Sequence, residues 1–334
     1  MTDGELPGCL TPAGPSKTLY HAKPLIIQAA LLAARQAGNL SLFAEYGNQM
    51  RALLGYWNSS SRRDAATGLH MWHDQLETGA DNLVFSECPS QFSPECWSDS
   101  QAYTLASPDV MVWLAREYEA YALFLEGWRH SGGGGLSWEA ERDAAARYGA
   151  ALRDVIHARL WRWLDAPACT RGLYVAFNVS MGAQIARRTY QAAWPVWAGL
   201  AANESVKQAA LTALLEADLW SPFGVRSAAS TDPLYNNANI INPYSNWRGP
   251  IWVNVNAVMA YTLRASGLAP AAGALADTIV RVLAADLRAN GQWHEAYNAD
   301  NGTALAAPGF LSWNTLGADL QANVAEGRDP FSLK

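Results

Sequence analysis

Apolar residues recur at helical spacing in one segment of this chain after another, and few segments alternate in the manner of β-strands. Gly38-Asn39 separates the first two of these segments, which is typical of one helix ending and the next beginning. Ser107-Pro108-Asp109 predicts a helix start, because it combines a capping hydroxyl, a first-turn proline and an acid near the positive end of the helix dipole. The chain is therefore predicted to be all-α, with Gly172–Val179 as a candidate for part of a hairpin. Predicted helices cover Leu25–Ala37, Leu42–Trp57, Ser107 to about Trp128, Ser137 to about Trp163, Trp194–Ala202, Glu204–Ala217, Ile251–Ser266, Pro270–Ala289 and Phe310–Asn323.

The connections between these helices alternate between short turns and long loops, and the long loops hold most of the tryptophan, asparagine and carboxylate-rich sequence. Long loops without secondary structure are uncommon unless they are functional. We therefore expect the loops to form a pocket at one end of a single helical domain over residues 20–325. Residues 1–19 are expected to be a flexible segment, and residues 326–334 a tail.

Charge and hydropathy exclude several classes of partner. The net charge is −6, and no run of Lys and Arg is long enough to follow a phosphate backbone, which argues against nucleic acid. No apolar stretch reaches the roughly 18–20 residues that span a bilayer, so no membrane is expected. The N-terminal residues lack the pattern of a signal peptide, which makes the cytoplasm the expected location. Oligomeric state is left open.

The four cysteines are too few for a disulfide scaffold. Cys88 and Cys96 lie in one predicted loop, so a disulfide and two free thiols both stay open.

His70 and His73 could bind a metal together at i,i+3 spacing, although a packed or surface role is the simpler interpretation. Gly132–Gly135 lacks the strand and the Lys-Ser/Thr of a phosphate-binding loop. No metal or cofactor is expected.

Three loops concentrate the chemically useful side chains. The first runs from Trp72 to Asn82 and packs three carboxylates and two amides beside a glycine, a cluster that is awkward to bury without a ligand or a hydrogen-bond network. The second, residues 246–252, places an arginine between indoles, which suits hydroxyl and sugar-face recognition. The third runs from Trp293 to Asn298. Each loop precedes a predicted helix, so parallel inner helices would bring all three to one end.

Such an arrangement would set Asp81 and Glu295 across one pocket. Two carboxylates on opposite sides of a scissile bond are what glycoside hydrolysis needs, one as proton donor and the other as nucleophile or base. Each residue taken alone also has an ordinary explanation: Asp81 as a helix cap, Glu295 as a surface glutamate, and the Trp-Arg-Gly-Pro segment as a packed turn. The occurrence of all three loops in this order favours the catalytic interpretation.

Together these segments resemble glycoside hydrolase family 63, within the trehalase and processing-glucosidase superfamily. Residues 246–252 look like its Trp-Arg-Gly-Pro-Ile-Trp signature, residues 77–82 are similar to its Glu-Ser/Thr-Gly-x-Asp-Asn motif, and residues 295–298 resemble its Glu-x-Tyr-Asn segment. Softer matches are Lys23-Pro24 at a helix start and Trp194-Pro-Val-Trp197. The likeness runs from about Tyr20 to Leu320.

The resemblance implies an (α/α)6 toroid and hydrolysis with inversion. Asp81 is then the general acid and Glu295 the general base, with carboxylates roughly 6.5–9.5 Å apart to leave room for the attacking water. Glu77 and Gly79 are expected to support the acid loop. The helices predicted above are fewer than a closed toroid contains, which leaves open a ring that is incomplete at its N-terminal side. Expected substrate contacts are Trp72, Gln75, Asn82, Tyr244, Trp247, Arg248, Gly249, Trp252, Trp293, Tyr297 and Trp313.

The expected activity is that of an exo-α-glycosidase on a short α-glucoside or α-mannoside, with glucosylglycerate or mannosylglycerate as the first choice. A small glycoside is then the only expected partner. Two alternatives stay open: a trehalase or oligosaccharide α-glucosidase of the same superfamily, and an inactive remnant that binds carbohydrate.

Overall fold

The structure is a computed structural model that describes residues 10–11, 14–15, 23–40, 42–73, 76–85, 104–130, 137–241 and 244–333. Most of the segment 1–19, and Gln75, Cys88 and Cys96, lie outside the described residues, so the expectations for them stay predictions. The helices are α1 (Ile26–Gln36), α2 (Leu42–Trp57), α3 (Pro108–His130), α4 (Ser137–Leu160), α5 (Trp194–Trp197), α6 (Glu204–Leu214), α7 (Val253–Ala265), α8 (Ala269–Asn290) and α9 (Leu316–Glu326). Within the described part of the chain, no helix is long and apolar enough to cross a membrane.

Short antiparallel strands connect the helices. The strands are β1 (Leu10–Thr11), β2 (Gly14–Pro15), β3 (Leu105–Ala106), β4 (Trp161–Trp163), β5 (Gly172–Tyr174), β6 (Ala176–Asn178), β7 (Ala183–Ile185), β8 (Trp220–Ser221), β9 (Gly224–Val225), β10 (His294–Tyr297) and β11 (Ala304–Pro308). Two-stranded sheets pair β1 with β2, β4 with β5, β8 with β9 and β10 with β11, and β6 pairs with both β3 and β7.

The odd-numbered helices form an inner layer. α1 packs on α3, α3 on α5, α5 on α7 and α7 on α9, while the even-numbered α2, α4 and α8 pack against this series from outside. Burial agrees, because α7 is buried on all sides from Val255 to Leu263, as expected for a helix surrounded by others. The core therefore lies along the inner helices.

The amino-terminal ends of the inner helices meet at one end of the molecule. Trp113 near the start of α3 packs edge to face on Trp194 of α5, with ring centroids 6.2 Å apart. Trp252, which precedes α7, lies 5.8 Å from Trp313, which precedes α9. The loops before these helices therefore open at the same end, as the sequence predicted.

A side chain from α3 caps the start of α1. Helix α1 has no side-chain cap of its own and no acid in its first turn. Instead, the Glu117 carboxylate accepts the backbone N–H groups of Ile27 and Gln28 at 2.9 and 3.0 Å. Burial raises the pKa of Glu117 to about 7, although these donors act in the opposite direction. The cap fixes the segment that carries Lys23 against the centre of the fold.

Several predicted helix boundaries are wrong, and the helix predicted over Glu204–Ala217 ends at Leu214. The predicted helix Trp194–Ala202 is only the four residues of α5. Helix α4 ends at Leu160, because Trp161–Trp163 pairs as a strand with Gly172–Tyr174, where Gly172 leaves room for the Trp161 ring. The last helix begins at Leu316, after a short 3-10 turn at Trp313–Thr315, and not at Phe310.

Candidate active site

Asp81 lies in the first of the three loops and is held by Ser245, the residue that precedes the second loop. It follows a short 3-10 turn, Leu76–Thr78, and Gly79, whose φ of 75° is a left-handed conformation that favours glycine. Its Oδ2 atom accepts the backbone N–H of Ser245 at 3.0 Å and the Ser245 hydroxyl at 2.8 Å. Burial raises the pKa of Asp81, and the Ser245 donors and the positive charge of Lys23 oppose that rise. A buried carboxyl with a raised pKa is suited to donate a proton.

Glu77 supports the same loop from beneath, as the sequence suggested. Its two carboxylate oxygens each accept a hydrogen bond of 2.7 Å from one terminal nitrogen of Arg62. Both side chains are fully buried. Glu77 also accepts the backbone N–H of His73 at 2.9 Å. The Arg62 guanidinium lies over the ring of Trp57, and it donates to the Tyr56 hydroxyl as well. This bidentate pair fixes the loop that carries the acid.

Lys23 is a site residue that sequence reasoning treated only as a helix start. Its side chain covers Gly79 so closely that a Cβ there would lie 2.8 Å from Lys23 Cε. Burial lowers the pKa of Lys23, while the negative charges of Asp81, Asp109 and Glu77 act to raise it. The ammonium group therefore interacts with three carboxylates, two in the acid loop and one at the start of α3.

The second loop locks onto the first through Asn82. The Asn82 side-chain oxygen accepts the Trp247 backbone N–H at 2.6 Å, and Arg248 Nε donates to the Asn82 carbonyl at 2.7 Å. Trp247 stacks on Trp252 with ring centroids 3.7 Å apart. Gly249 cannot carry a side chain, because a Cβ there would lie 2.4 Å from the carbonyl oxygen of Asn236. The Trp-Arg-Gly-Pro segment is thus built to hold Arg248 beside the acid.

Glu295 lies on a strand and not in a loop, which corrects the sequence-based expectation. It belongs to β10, at a shift of register between His294 and Ala296. A signal for this hairpin was present, since Asn301-Gly302 is a typical turn between two short strands. Burial raises the pKa of Glu295, and the negative charge of Asp81 raises it further. The two carboxylates therefore interact in one site.

The second and third segments also join. Ile251 and Tyr297 exchange two backbone hydrogen bonds of 2.7 and 3.0 Å. With the Asn82–Trp247 contact, these bonds bring all three sequence segments together.

The predicted substrate contacts divide by exposure. Trp72, Asn82, Trp247, Trp252 and Tyr297 are at most 2% exposed, so in this structure they support the site from behind and do not form its surface. Gly249 is buried as well. Four others are half-buried: Tyr244, Arg248, Trp293 and Trp313.

Trp72 supports the start of α3. Its indole N–H donates to the Ser107 hydroxyl at 2.9 Å and contacts Asp109 Oδ1 at 3.2 Å. Asp109 also accepts the side-chain amide of Gln191 at 3.0 Å, across to the turn before α5. Sequence reasoning recognised Asp109 as a first-turn acid but did not find the partner Gln191, which lies far along the chain.

The two histidines considered for a metal have other partners. His70 is fully buried, and its ring nitrogens contact the Trp57 carbonyl at 2.7 Å and the Tyr148 hydroxyl at 3.0 Å. The Nε2 atom of His73 contacts the Ser61 carbonyl at 2.9 Å. His70 is therefore packed in the core, which agrees with the simpler interpretation of this residue.

Comparison with known proteins identifies the family. Residues 136–313 match the family described as "Mannosylglycerate hydrolase MGH1-like glycoside hydrolase domain", and this match covers more than half of the chain. The chain belongs to the MGH1-like glycoside hydrolases. A curated relative of this chain, a probable mannosyl-oligosaccharide glucosidase from Schizosaccharomyces pombe, is 25% identical over 147 residues. That match covers 40% of this chain and 17% of the glucosidase.

Solved structures resemble this MGH1-like chain over nearly its whole length. The family 63 mannosylglycerate hydrolase from Thermus thermophilus, in complex with glucose, superposes with a TM-score of 0.67 at 18% identity. The match covers 97% of this chain and 84% of that one. Neutral trehalase Nth1 from Saccharomyces cerevisiae gives a TM-score of 0.62 at 16% identity, over 93% of this chain and 65% of the trehalase. The expected (α/α)6 toroid is confirmed, and the described residues contribute α1, α3, α5, α7 and α9 to its inner layer.

Proposed function

We propose that this MGH1-like protein is an inverting exo-α-glycosidase in which Asp81 is the general acid and Glu295 the general base. The observation that carries the proposal is the electrostatic interaction between these two carboxyl groups. They come from segments over two hundred residues apart, both are partly buried, and the charge of Asp81 raises the pKa of Glu295.

The hydrogen bonds of Asp81 suggest which oxygen donates the proton. Oδ2 accepts two hydrogen bonds from Ser245, so the proton of the neutral acid is best placed on Oδ1. In the proposed reaction that proton moves to the glycosidic oxygen as the bond to the anomeric carbon breaks. Glu295, in its ionised form, takes a proton from the water that attacks the opposite face. The proposal predicts a carboxylate separation of roughly 6.5–9.5 Å.

A short substrate is favoured by the family. A mannosylglycerate hydrolase from Thermus thermophilus has the same fold, and the matching family is named after such an enzyme. The half-buried Arg248, Tyr244, Trp293 and Trp313 supply a cation, a hydroxyl and two indoles for a small polar ligand. We therefore infer glucosylglycerate or mannosylglycerate as the substrate.

The test measures free glucose or mannose released from glucosylglycerate, mannosylglycerate, trehalose and an α-glucosyl oligosaccharide. Wild type is compared with Asp81→Ala, Glu295→Ala and the control Asp277→Asn, an exposed position on α8. We expect turnover of a glycerate glycoside, a loss of at least about 10³-fold in both alanine variants, and normal activity in the control.

Other outcomes change the proposal in defined ways. Turnover of trehalose or the oligosaccharide alone would identify the protein as a trehalase or an oligosaccharide α-glucosidase. The proposed mechanism would be unchanged. Sugar binding without turnover of any of the four compounds would overturn the enzyme assignment and favour a carbohydrate-binding protein.

A further inference from the structure

We propose that Asp286 is the positioning residue for Glu295, and that it acts by holding strand β10 on both sides of the base. This inference rests on the proposed function, because it assigns a role toward the proposed base. Asp286 lies on the outer helix α8, outside the sequence motifs discussed above, and its side chain is only 2% exposed.

The contacts of Asp286 flank Glu295 in the sequence. Its Oδ2 atom accepts the backbone N–H of His294 at 2.8 Å, one residue before the base. The same oxygen accepts the Tyr297 hydroxyl at 2.9 Å, two residues after it. The His294 ring nitrogen Nδ1 lies 3.1 Å from both carboxylate oxygens. One carboxylate thus fixes the backbone before the base and the side chain beyond it.

The strand between these two anchors is irregular at Glu295. The shift of register lies between His294 and Ala296, and such bulges re-aim a side chain and occur often beside active sites. On the partner strand, Ala306 has a φ of 64°, a left-handed conformation that alanine rarely adopts. The backbone N–H of the next residue, Ala307, faces the Glu295 carboxylate and acts to lower the pKa of Glu295. The pairing of the two strands is therefore irregular where it presents the base, with Ala306 and Ala307 both opposite Glu295.

The charge state of Asp286 suits this role. Burial alone would raise its pKa, but the donors from Asn290, His294 and Tyr297 outweigh burial and lower the pKa. The carboxylate is therefore ionised and can only accept hydrogen bonds. The His294 ring must then donate from Nδ1 to Asp286. Nothing in this set of contacts touches Asp81, so Asp286 influences the base without altering the hydrogen bonds of the acid.

Asp286→Asn is the most informative variant, because the side chain keeps its size. One carboxylate oxygen becomes an amide NH₂ group, a donor that faces other donors. Asp277→Asn is its matched control on the same helix, where the side chain of Asp277 is exposed and accepts only the Gln321 amide in the contacts described. We expect Asp286→Asn to lower kcat about 100-fold, since small misplacements of a catalytic group cost this much, with KM within about threefold of wild type. The acidic limb of the kcat/KM profile should move to higher pH, because Glu295 loses its alignment with the Ala307 N–H.

A double-mutant cycle separates positioning from general damage. If Asp286 acts through Glu295, Asp286→Asn added to Glu295→Ala should not lower the residual rate further. A further loss equal to that of the single variant would overturn the inference, as would a KM effect with kcat unchanged.

A crystal structure of Asp286→Asn provides a test that needs no turnover. We expect the Glu295 carboxylate to leave the Ala307 N–H and the register shift to change. A Glu295 side chain that keeps its position would overturn the inference even if the enzyme proved inactive. Inactivity of wild type with a displaced Glu295 would instead contradict the proposed function and leave the positioning role supported.

Discussion

Ser245 donates both its backbone N–H and its hydroxyl to Oδ2 of Asp81, at 3.0 and 2.8 Å. The two residues belong to different segments of the chain. Both hydrogen bonds from the serine go to Oδ2 of the proposed acid, so the proton is best placed on Oδ1. Both donors lower the pKa of Asp81 against the opposing effect of burial. Ser245 therefore helps to set the pH at which the acid loses its proton.

Replacing Ser245 by alanine should raise the pKa of Asp81, because the hydroxyl donor is lost and burial remains. The alkaline limb of the kcat/KM profile, which reports loss of the acid's proton, should then move to higher pH. Ser60→Ala, at an exposed position, is the control. An unchanged limb, or one that moves to lower pH, would show that the hydroxyl does not stabilise the ionised form.

The buried Arg62–Glu77 pair should matter for stability far more than exposed pairs do. Glu77→Gln leaves the Arg62 charge buried without its counter-charge, which should lower the free energy of unfolding by about 3 kcal/mol or more. Glu326→Gln breaks the ion pair between Glu326 and Arg328, whose side chains are 56% and 61% exposed. This variant should change the free energy of unfolding by less than about 0.5 kcal/mol. Urea unfolding of both variants makes the comparison. Equal effects would mean that the pair does not hold the acid loop.

Glu117 should make stability depend on pH near neutrality. Its pKa in the folded protein is about 7, against 4.5 for the free side chain, so between these values the folded state holds a proton that the unfolded chain releases. The free energy of unfolding should therefore fall as pH rises through this window, by on the order of 3 kcal/mol.

The Glu117→Gln variant tests this dependence, because it cannot ionise. Urea unfolding at pH 5 and pH 8 should show a smaller fall in the variant than in wild type. A fall of the same size in both proteins would assign the pH dependence to other groups.

Local sequence signals predicted much of the helical framework. Leu42–Trp57 was predicted with the bounds of α2, and Ser107-Pro108-Asp109 marked the start of α3, because capping and periodicity are properties of neighbouring residues. The short α5 was overestimated, since apolar spacing continues after the helix ends at Trp197. Motifs predicted one site for Asp81, Arg248 and Glu295, because each lies in a segment with a recognisable pattern.

The hydrogen-bond partners of those residues could not be predicted from local sequence patterns. Asp286 and Ser245 act on Glu295 and Asp81 through hydrogen bonds that depend on how helices and hairpins pack. Their own neighbours in the sequence carry no sign of this contact. Full burial of Tyr297 and Trp252 is likewise a result of packing, and it moves them from the surface of the site to the layer that supports it.

The stereochemistry of the released sugar tests the central claim most directly. Proton NMR would follow the anomeric signals in the first minutes of hydrolysis of the best α-glycoside, before mutarotation mixes the two forms. Inversion by Asp81 and Glu295 predicts that the β-anomer appears first and the α-anomer later. Release of the α-anomer first would contradict the account, because it requires retention through a covalent intermediate in place of a directly attacking water.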